Sequence, residues 1–321
     1  MFDSVLIISF GGPQGLADVR PFLANVLRGR RVSPERVEEV VHHYEMFGGV
    51  SPITELTRRQ AEGLRVRLAE AGHPLPVYVG MRNWHPFLAD TLLEMYDAGA
   101  RRAIGFIAAS HHSYSSCQQY RENVDAARGE LRAARGGDLP VTYVQSWFDH
   151  PGFIDAAADH VADAIRTLPA DLRQAARIVF TAHSIPLRMA EASQYRAQLE
   201  TSARAVALQA GLDWALAYQS RSGRPGDPWL EPDVRDYLRR ERTAGLAAAV
   251  LCPIGFVCDH IEVLHDLDHE AGQVCRDIGL PMARAAAVND DPRFLDMMAD
   301  VVLKTIERYA GRPLPIVSAG S

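Results

Sequence analysis

The chain has 321 residues, enough for about two domains of typical size. Hydrophobic residues make up 47% and charged residues 23%, which excludes a disordered or fibrous protein. The net charge of −6 offers no general attraction for nucleic acid or for an anionic membrane surface, so an acidic ligand requires a local basic cluster.

Short apolar runs alternate with longer amphipathic segments, which is typical of an α/β protein with parallel sheets. The predicted strands are 5–9, 77–79, 103–108, 141–145, 177–182, 214–218, 246–251 and 282–286, and the clearest helices are 16–27, 34–44, 52–71, 153–167 and 292–309. We expect two similar halves, 1–149 and 150–291, with the helix 292–309 packing back on the first. Ligands in such folds bind beyond the carboxyl ends of the strands.

The segment that opens the chain and the cysteines predict where the protein works. Residues 1–8 lack a basic n-region, and no apolar stretch reaches the roughly 20 residues of a membrane span, so we expect a cytoplasmic protein without stable membrane association. None of the four cysteines forms a CxxC pair, which favours reduced structural thiols over a cluster or zinc site.

Three strand ends carry polar residues that could support chemistry. At the first, His183 directly follows an apolar strand and is expected to project from the carboxyl edge of the sheet into a crevice. A histidine hydrogen-bonded to loop backbone is the alternative interpretation of this segment.

The second strand end leads into a segment in which Asp259 is predicted to cap a helix. Glu262, Asp266 and Glu270 recur at every fourth position, which places three carboxylates in one row on a helix face. Such a row is either a solvated acidic face or a relay for a divalent cation or protons. Three histidines are interspersed with it: His260, His265 and His269.

The third strand end is followed by the adjacent histidines His111 and His112, whose loop is expected to line a pocket rather than bind a metal. Tyr120 offers a hydroxyl and an aromatic face there. A basic patch at 28–31 is either solvated surface charge or a recognition site for carboxylates, which fit the guanidinium fork.

Taken together, these segments resemble the ferrochelatase family, and most closely its bacterial, actinobacterial-type coproporphyrin III branch. The matching segments, in order, are 9–13, 47–52, 181–184, 219–220, 227–230 and 255–264. The resemblance implies two similar Rossmann-like domains, each a small parallel sheet flanked by helices, with a porphyrin cleft between them. It also implies a lyase that inserts Fe(II) into coproporphyrin III and yields coproheme in haem biosynthesis.

The resemblance implies roles for individual residues. His183 and Glu262 fall on the two metal-site residues of the family and would be catalytic, and Asp266 and Glu270 fall on an acidic relay leading away from them. The positions implied to contact the porphyrin are Phe10, Arg28, Arg30, His43, Tyr44, Ser51 and Tyr120. Porphyrin and ferrous iron would both be substrates of a monomeric enzyme.

Two features of the sequence differ from those of some members of the family. Phe10 stands where some relatives carry a tyrosine that ligates the product iron, and a phenyl ring cannot coordinate iron. Other relatives hold a [2Fe–2S] cluster on cysteines close to the C-terminus, but this sequence has no cysteine after Cys275, so we predict no cluster. The alternative functions are insertion into protoporphyrin IX, a chelatase for another metal or tetrapyrrole, and a tetrapyrrole- or metal-binding carrier without turnover.

Overall fold

The computed structural model describes residues 1–29, 32–222 and 226–310. Arg30, one of the predicted porphyrin contacts, lies outside these described residues, as does Arg31. The described strands form two four-stranded sheets with the orders β2-β1-β3-β4 and β6-β5-β7-β8. The strands are β1 (Ser4–Ser9), β2 (Val77–Met81), β3 (Ala103–Ile107), β4 (Val141–Tyr143), β5 (Ala176–His183), β6 (Trp214–Gln219), β7 (Ala248–Cys252) and β8 (Met282–Arg284).

Every strand pair is parallel, and helical crossovers connect the strands, so the predicted fold class is confirmed. The helices are α1 (Leu16–Val26), α2 (Pro34–Glu45), α3 (Ile53–Glu70), α4 (Leu88–Asp97), α5 (Gln119–Arg135), α6 (Pro151–Thr167), α7 (Leu187–Glu191), α8 (Tyr195–Ala210), α9 (Val234–Thr243), α10 (Ile261–Val263), α11 (Gly272–Asp277) and α12 (Pro292–Tyr309). Two π-helical segments, Tyr114–Gln118 and Leu264–Ala271, precede α5 and α11, and a 3₁₀ turn spans Arg173–Ala175. No helix in the described part of the chain combines the length and the apolarity needed to cross a bilayer.

The two sheets share one hydrophobic core. Val5 and Ile7 of β1 belong to the same buried cluster as Ile178 of β5, whereas Leu6 and Ile8 belong to a separate cluster on the other face of β1. Side chains of a strand alternate between its two faces, so each sheet is buried on both sides. The strands therefore read as continuous apolar runs in the sequence.

The last helix packs against α3 and α6 and also contacts β3. Its side chains Phe294, Met298 and Val302 join the shared core, and Asp300 lies 2.8 Å from Nε2 of His150, which caps α6. Because this core contains residues from both halves of the sequence, the division at residue 149 stays a prediction.

A buried histidine links the loop after β3 to α8. His111 is only 2% exposed; its Nδ1 lies 2.7 Å from the hydroxyl of Ser110 and its Nε2 lies 2.9 Å from that of Ser202. Ser202 donates its own proton to the carbonyl oxygen of Phe148 at 2.7 Å, so it accepts from the Nε2–H of His111. Burial lowers the pKa of His111 to about 3, so the ring is neutral at pH 7 and its Nδ1 accepts from the hydroxyl of Ser110.

We expect this histidine to make stability depend on pH. Its pKa is lower in the folded than in the unfolded chain, so its contribution is complete above about 6.5 and is lost as the pH falls toward about 3. His111→Gln should lower the free energy of unfolding by about 1–3 kcal/mol at pH 7 and by less at pH 4. Urea denaturation at several pH values measures this, with the exposed His73→Gln as control. Parallel pH profiles for His111→Gln and the wild type would contradict the assignment.

Candidate active site

His183 is the last residue of β5, and its two ring nitrogens have different partners. Nδ1 lies 2.5 Å from the carbonyl oxygen of Ser184, and a carbonyl oxygen can only accept, so Nδ1 carries the proton of the neutral ring. The lone pair is then on Nε2. The backbone hydrogen bond that was the alternative interpretation of this histidine is thus present, and it leaves Nε2 available for chemistry.

Glu262, which lies in α10, approaches that free nitrogen. Its Oε2 lies 3.8 Å from Nε2 of His183, and the two side chains are 40% and 36% exposed. The structure therefore brings the two predicted metal-site residues together at a solvent-accessible position. An imidazole lone pair beside a carboxylate can accept protons or bind a divalent cation.

A close backbone contact holds the two strand ends together. Gly255, in the loop after β7, donates its amide to the carbonyl oxygen of Thr181 at 3.0 Å. A Cβ at Gly255 would lie 2.5 Å from the Cβ of Ala182, so only glycine fits this approach. The loop that leads to Glu262 therefore lies directly against the end of the strand that carries His183.

The predicted helix cap at Asp259 is wrong, and His260 is the cap. Nδ1 of His260 accepts from the amide of Glu262 at 3.1 Å, and burial lowers the pKa of His260, which keeps the ring neutral and able to accept. Asp259 instead accepts from Arg284 at 2.9 Å and from the amide nitrogen of the Asn289 side chain at 2.8 Å. Those two donors lie far away in sequence, which is why local spacing could not reveal them.

The acidic row continues along the π-helical segment Leu264–Ala271. One ligand atom each of His265, Asp266 and Glu270 lies within 4.8 Å of the other two. The Asp266 side chain is 15% exposed, so the row is not simply a solvated face. Burial acts to raise the pKa of Asp266, but hydrogen bonds from His265 and Ser220 outweigh burial and hold this pKa below its usual range. Asp266 is therefore charged at neutral pH.

The outer end of the row borders a cavity of about 470 Å³. Glu270 forms an ion pair there with Nη1 of Arg235 at 3.0 Å. His43 stacks on His265 with ring centroids 3.6 Å apart and the ring planes at 17°. The structure thus places His43, a predicted porphyrin contact, beside the acidic row.

An aromatic group from the first half lies near Glu262. Phe10 and Tyr44 both pack on Phe22, with ring centroids 6.2 and 5.7 Å away. Burial, with a smaller contribution from the negative charge of Glu262, raises the pKa of Tyr44, and the same two effects act on Tyr120, where Arg82 opposes them. Both tyrosines therefore stay protonated around the space that Glu262 faces.

The remaining predicted contacts lie on the loops around this group. Ser51 is buried, its amide donates to the carbonyl oxygen of Pro13 at 2.9 Å, and a Cβ at Gly12 would lie 2.5 Å from its own Cβ. Arg28 is exposed and donates to Oδ1 of Asn25 at 2.8 Å. Ser51 thus packs against the loop that follows β1, whereas Arg28 is at the surface.

The sequence analysis assigned no role to several residues that complete the site, although two of them, Gln219 and Ser220, form one of the segments that match the family. Trp84 packs on Phe22 with ring centroids 6.3 Å apart, and Gln219 and Ser220 contact Asp266. Trp84, Gln219 and Ser220 all lie at or shortly after strand ends, so the rule that predicted the position of His183 could also have singled them out. No sequence pattern indicated Arg235 as a site residue, because its ion-pair partner Glu270 is remote in sequence.

The fold that carries this site is that of the chelatases. A solved structure of SirB from Bacillus subtilis with Fe3+ matches with a TM-score of 0.61 at 9% identity, over 97% of this chain and 98% of that one. The sirohydrochlorin chelatase SirB from Bacillus subtilis subspecies spizizenii, in complex with cobalt, matches with a TM-score of 0.56 at 10% identity, over the same shares of the two chains.

The sequence comparisons identify the family. The family model for ferrochelatase matches residues 3–306. A ferrochelatase of Rhodopirellula baltica is 48% identical, over 97% of this chain and 88% of the relative. A coproporphyrin III ferrochelatase of Mycolicibacterium smegmatis is 46% identical, over 100% of this chain and 96% of the relative. The chain belongs to the ferrochelatase family, so the predicted resemblance is confirmed.

The cap at His260 can be tested by two matched substitutions. His260→Ala removes the acceptor for the first amides of the segment that carries Glu262, and should lower the free energy of unfolding by about 1 kcal/mol. His260→Asn supplies another good cap and should retain most of that stability. Urea denaturation compares the two, and equal losses in both variants would show that the ring acts through packing instead.

Proposed function

We propose that the protein inserts Fe(II) into coproporphyrin III and releases the iron porphyrin for haem biosynthesis. The observation that carries this proposal is the approach of the free Nε2 of His183 to Glu262 at 3.8 Å, in a chain that belongs to the ferrochelatase family. Several relatives that match along the whole chain bear the name coproporphyrin III ferrochelatase, which favours this substrate.

In this proposal His183 is the base. Iron insertion removes two pyrrole protons, and neutral imidazole is a suitable acceptor near physiological pH. The hydrogen bond from Nδ1 to Ser184 supports this role because it keeps the lone pair on Nε2. Glu262 accepts the second proton or presents the metal to the ring.

Asp266 and Glu270 form the relay that leads to this pair. Their oxygen ligands, together with imidazole, suit Fe(II) without the tight hold of thiolates, so that the ion can be passed on. The relay carries Fe(II) inward while the ion loses its water ligands, or it carries protons outward. The cavity at Glu270 is the entrance that this role requires.

The porphyrin-contacting residues hold the ring in a distorted shape. Remote contacts can support about 1–5 kcal/mol of substrate strain. Phe10, Tyr44 and Tyr120 supply aromatic or phenolic surface, Ser51 supports the β1 loop, and Arg28 is exposed and able to meet a propionate.

Three further inferences accompany the proposal. The protein works without a [2Fe–2S] cluster, because none of its four cysteines belongs to the group of potential metal ligands that lie together in the described residues, which is His265, Asp266 and Glu270. It acts in the cytoplasm without stable membrane association, consistent with its net charge of −6. It acts as a monomer.

Side-by-side insertion rates test the substrate. We expect Fe(II) insertion into coproporphyrin III to be faster than into protoporphyrin IX, since coproporphyrin III offers more carboxylates to basic side chains. Arg28→Ala should reduce the difference between the insertion rates for the two porphyrins. Equal or reversed rates would contradict the substrate assignment. Porphyrin binding without turnover, under conditions that support a known ferrochelatase, would indicate a carrier.

The two central residues can be tested separately. His183→Ala should lower the insertion rate by about 10²–10⁴-fold, because the ring supplies the base, while porphyrin binding measured by fluorescence quenching persists. Glu262→Gln should also lower turnover strongly, and Asp266→Asn should have a smaller effect. His73→Ala is the matched exposed-histidine control. A near-normal rate in His183→Ala would remove this residue from the mechanism.

A further inference from the structure

The end of β6 carries two polar residues, Gln219 and Ser220, that have no role so far. Gln219 is 1% exposed and is the backbone partner of His183 in the pairing of β5 with β6. Ser220 follows immediately. Both residues therefore lie beside the metal-site histidine, on the same edge of the same sheet.

Their side chains reach across to the acidic row. The hydroxyl of Ser220 donates to Oδ2 of Asp266, and Nε2 of Gln219 lies 3.4 Å from the same oxygen. Nε2 of Gln219 also lies 3.3 Å from the backbone carbonyl oxygen of Glu262. One amide group thus contacts the segment that carries Glu262 as well as the first carboxylate beyond it.

The backbone of Ser220 is unusual. Its φ is +59°, and within the described residues Asn289 is the only other non-glycine residue with a positive φ. The left-handed region is disfavoured for a residue with a Cβ, and asparagine tolerates it better than serine. Strain of this kind persists where the surrounding structure over-determines it, often at functional sites. At Ser220 the strained conformation directs the hydroxyl to Asp266.

The amide oxygen of Gln219 is a second unusual feature. Oε1 of Gln219 is buried and has no hydrogen-bond partner among the described residues. Buried polar groups in native proteins normally have a partner, so an exception calls for an explanation. At Gln219 the amide is oriented by the contacts of its Nε2 with Asp266 and with the carbonyl oxygen of Glu262, and this orientation leaves its oxygen without a partner.

We propose that Gln219 and Ser220 are positioning residues that hold the Asp266 side chain aligned with Glu262 for delivery of the metal. This inference rests on the proposed function, because it assigns the two residues to the relay of that site. They act through Asp266, in the way that outer-shell partners orient metal ligands in general. The contrasting view is that they only fasten β6 to the π-helical segment.

A matched pair of variants separates these views. Ser220→Ala and Ser220→Gly both lack the hydroxyl, but glycine adopts the positive φ freely and alanine does not. We expect both variants to raise the KM for Fe(II) by about 10–100-fold, with the KM for the porphyrin unchanged and kcat at saturating iron less affected. Thermal stability should be higher for Ser220→Gly than for Ser220→Ala. A wild-type KM for Fe(II) in Ser220→Gly would overturn the proposal.

A double-mutant cycle tests the route of action. If Ser220 acts through Asp266, Ser220→Ala should add little to the effect of Asp266→Asn on the KM for Fe(II). Gln219→Met keeps a similar side-chain volume, removes both amide contacts, and should reproduce the iron-specific effect. Fully additive effects of Ser220→Ala and Asp266→Asn would overturn the proposal.

A binding measurement is independent of porphyrin metallation. Calorimetric titration of the porphyrin-free protein with Zn²⁺ should show at least a roughly tenfold weaker affinity in Ser220→Ala and Gln219→Met than in the wild type. Equal affinities, or no saturable Zn²⁺ binding by the wild type, would overturn the inference. Failure to metallate coproporphyrin III with these affinity differences intact would contradict the proposed function alone.

Discussion

Nδ1 of His183 lies 2.5 Å from the carbonyl oxygen of Ser184, and this hydrogen bond decides which ring nitrogen is available for chemistry. Because the carbonyl oxygen can only accept, the neutral ring keeps its lone pair on Nε2, 3.8 Å from the carboxylate of Glu262. The same backbone turn is held by Ser184, whose amide donates to Gln219 of the neighbouring strand at 2.8 Å. The chemistry of the site therefore depends on the backbone conformation at the ends of β5 and β6.

The three carboxylates of the row have different surroundings, and these differences suit a directional path. Glu262 is 40% exposed beside an imidazole, and Asp266 is 15% exposed and held by neutral donors and His265. Glu270 forms an ion pair with Arg235 next to the cavity at the outer end of the row. In the proposed relay, an entering cation displaces the guanidinium of Arg235 from Glu270 and then meets the carboxylate of Asp266, which accepts hydrogen bonds from Ser220 and His265.

The sheets, the strand-end position of His183 and the spacing of the acidic row were predictable, since apolar runs and four-residue spacing are local signals. The cap was not, because the choice between Asp259 and His260 depends on Arg284 and Asn289. The π-helical geometry of Leu264–Ala271 was not predictable, because residues four apart share a face in α- and π-helices alike. The contact between Ser220 and Asp266 joins positions 46 residues apart and needs the folded chain.

The central claim is that His183 and Glu262 act together on the nitrogens of one porphyrin ring. A crystal structure of the protein with metal-free coproporphyrin III tests this most directly. We expect Nε2 of His183 and the carboxylate of Glu262 on one face of the ring, each within about 2.6–3.2 Å of a pyrrole nitrogen or of one bridging water. A porphyrin bound elsewhere, or a His183 ring with Nε2 turned away from the pyrrole nitrogens, would contradict it.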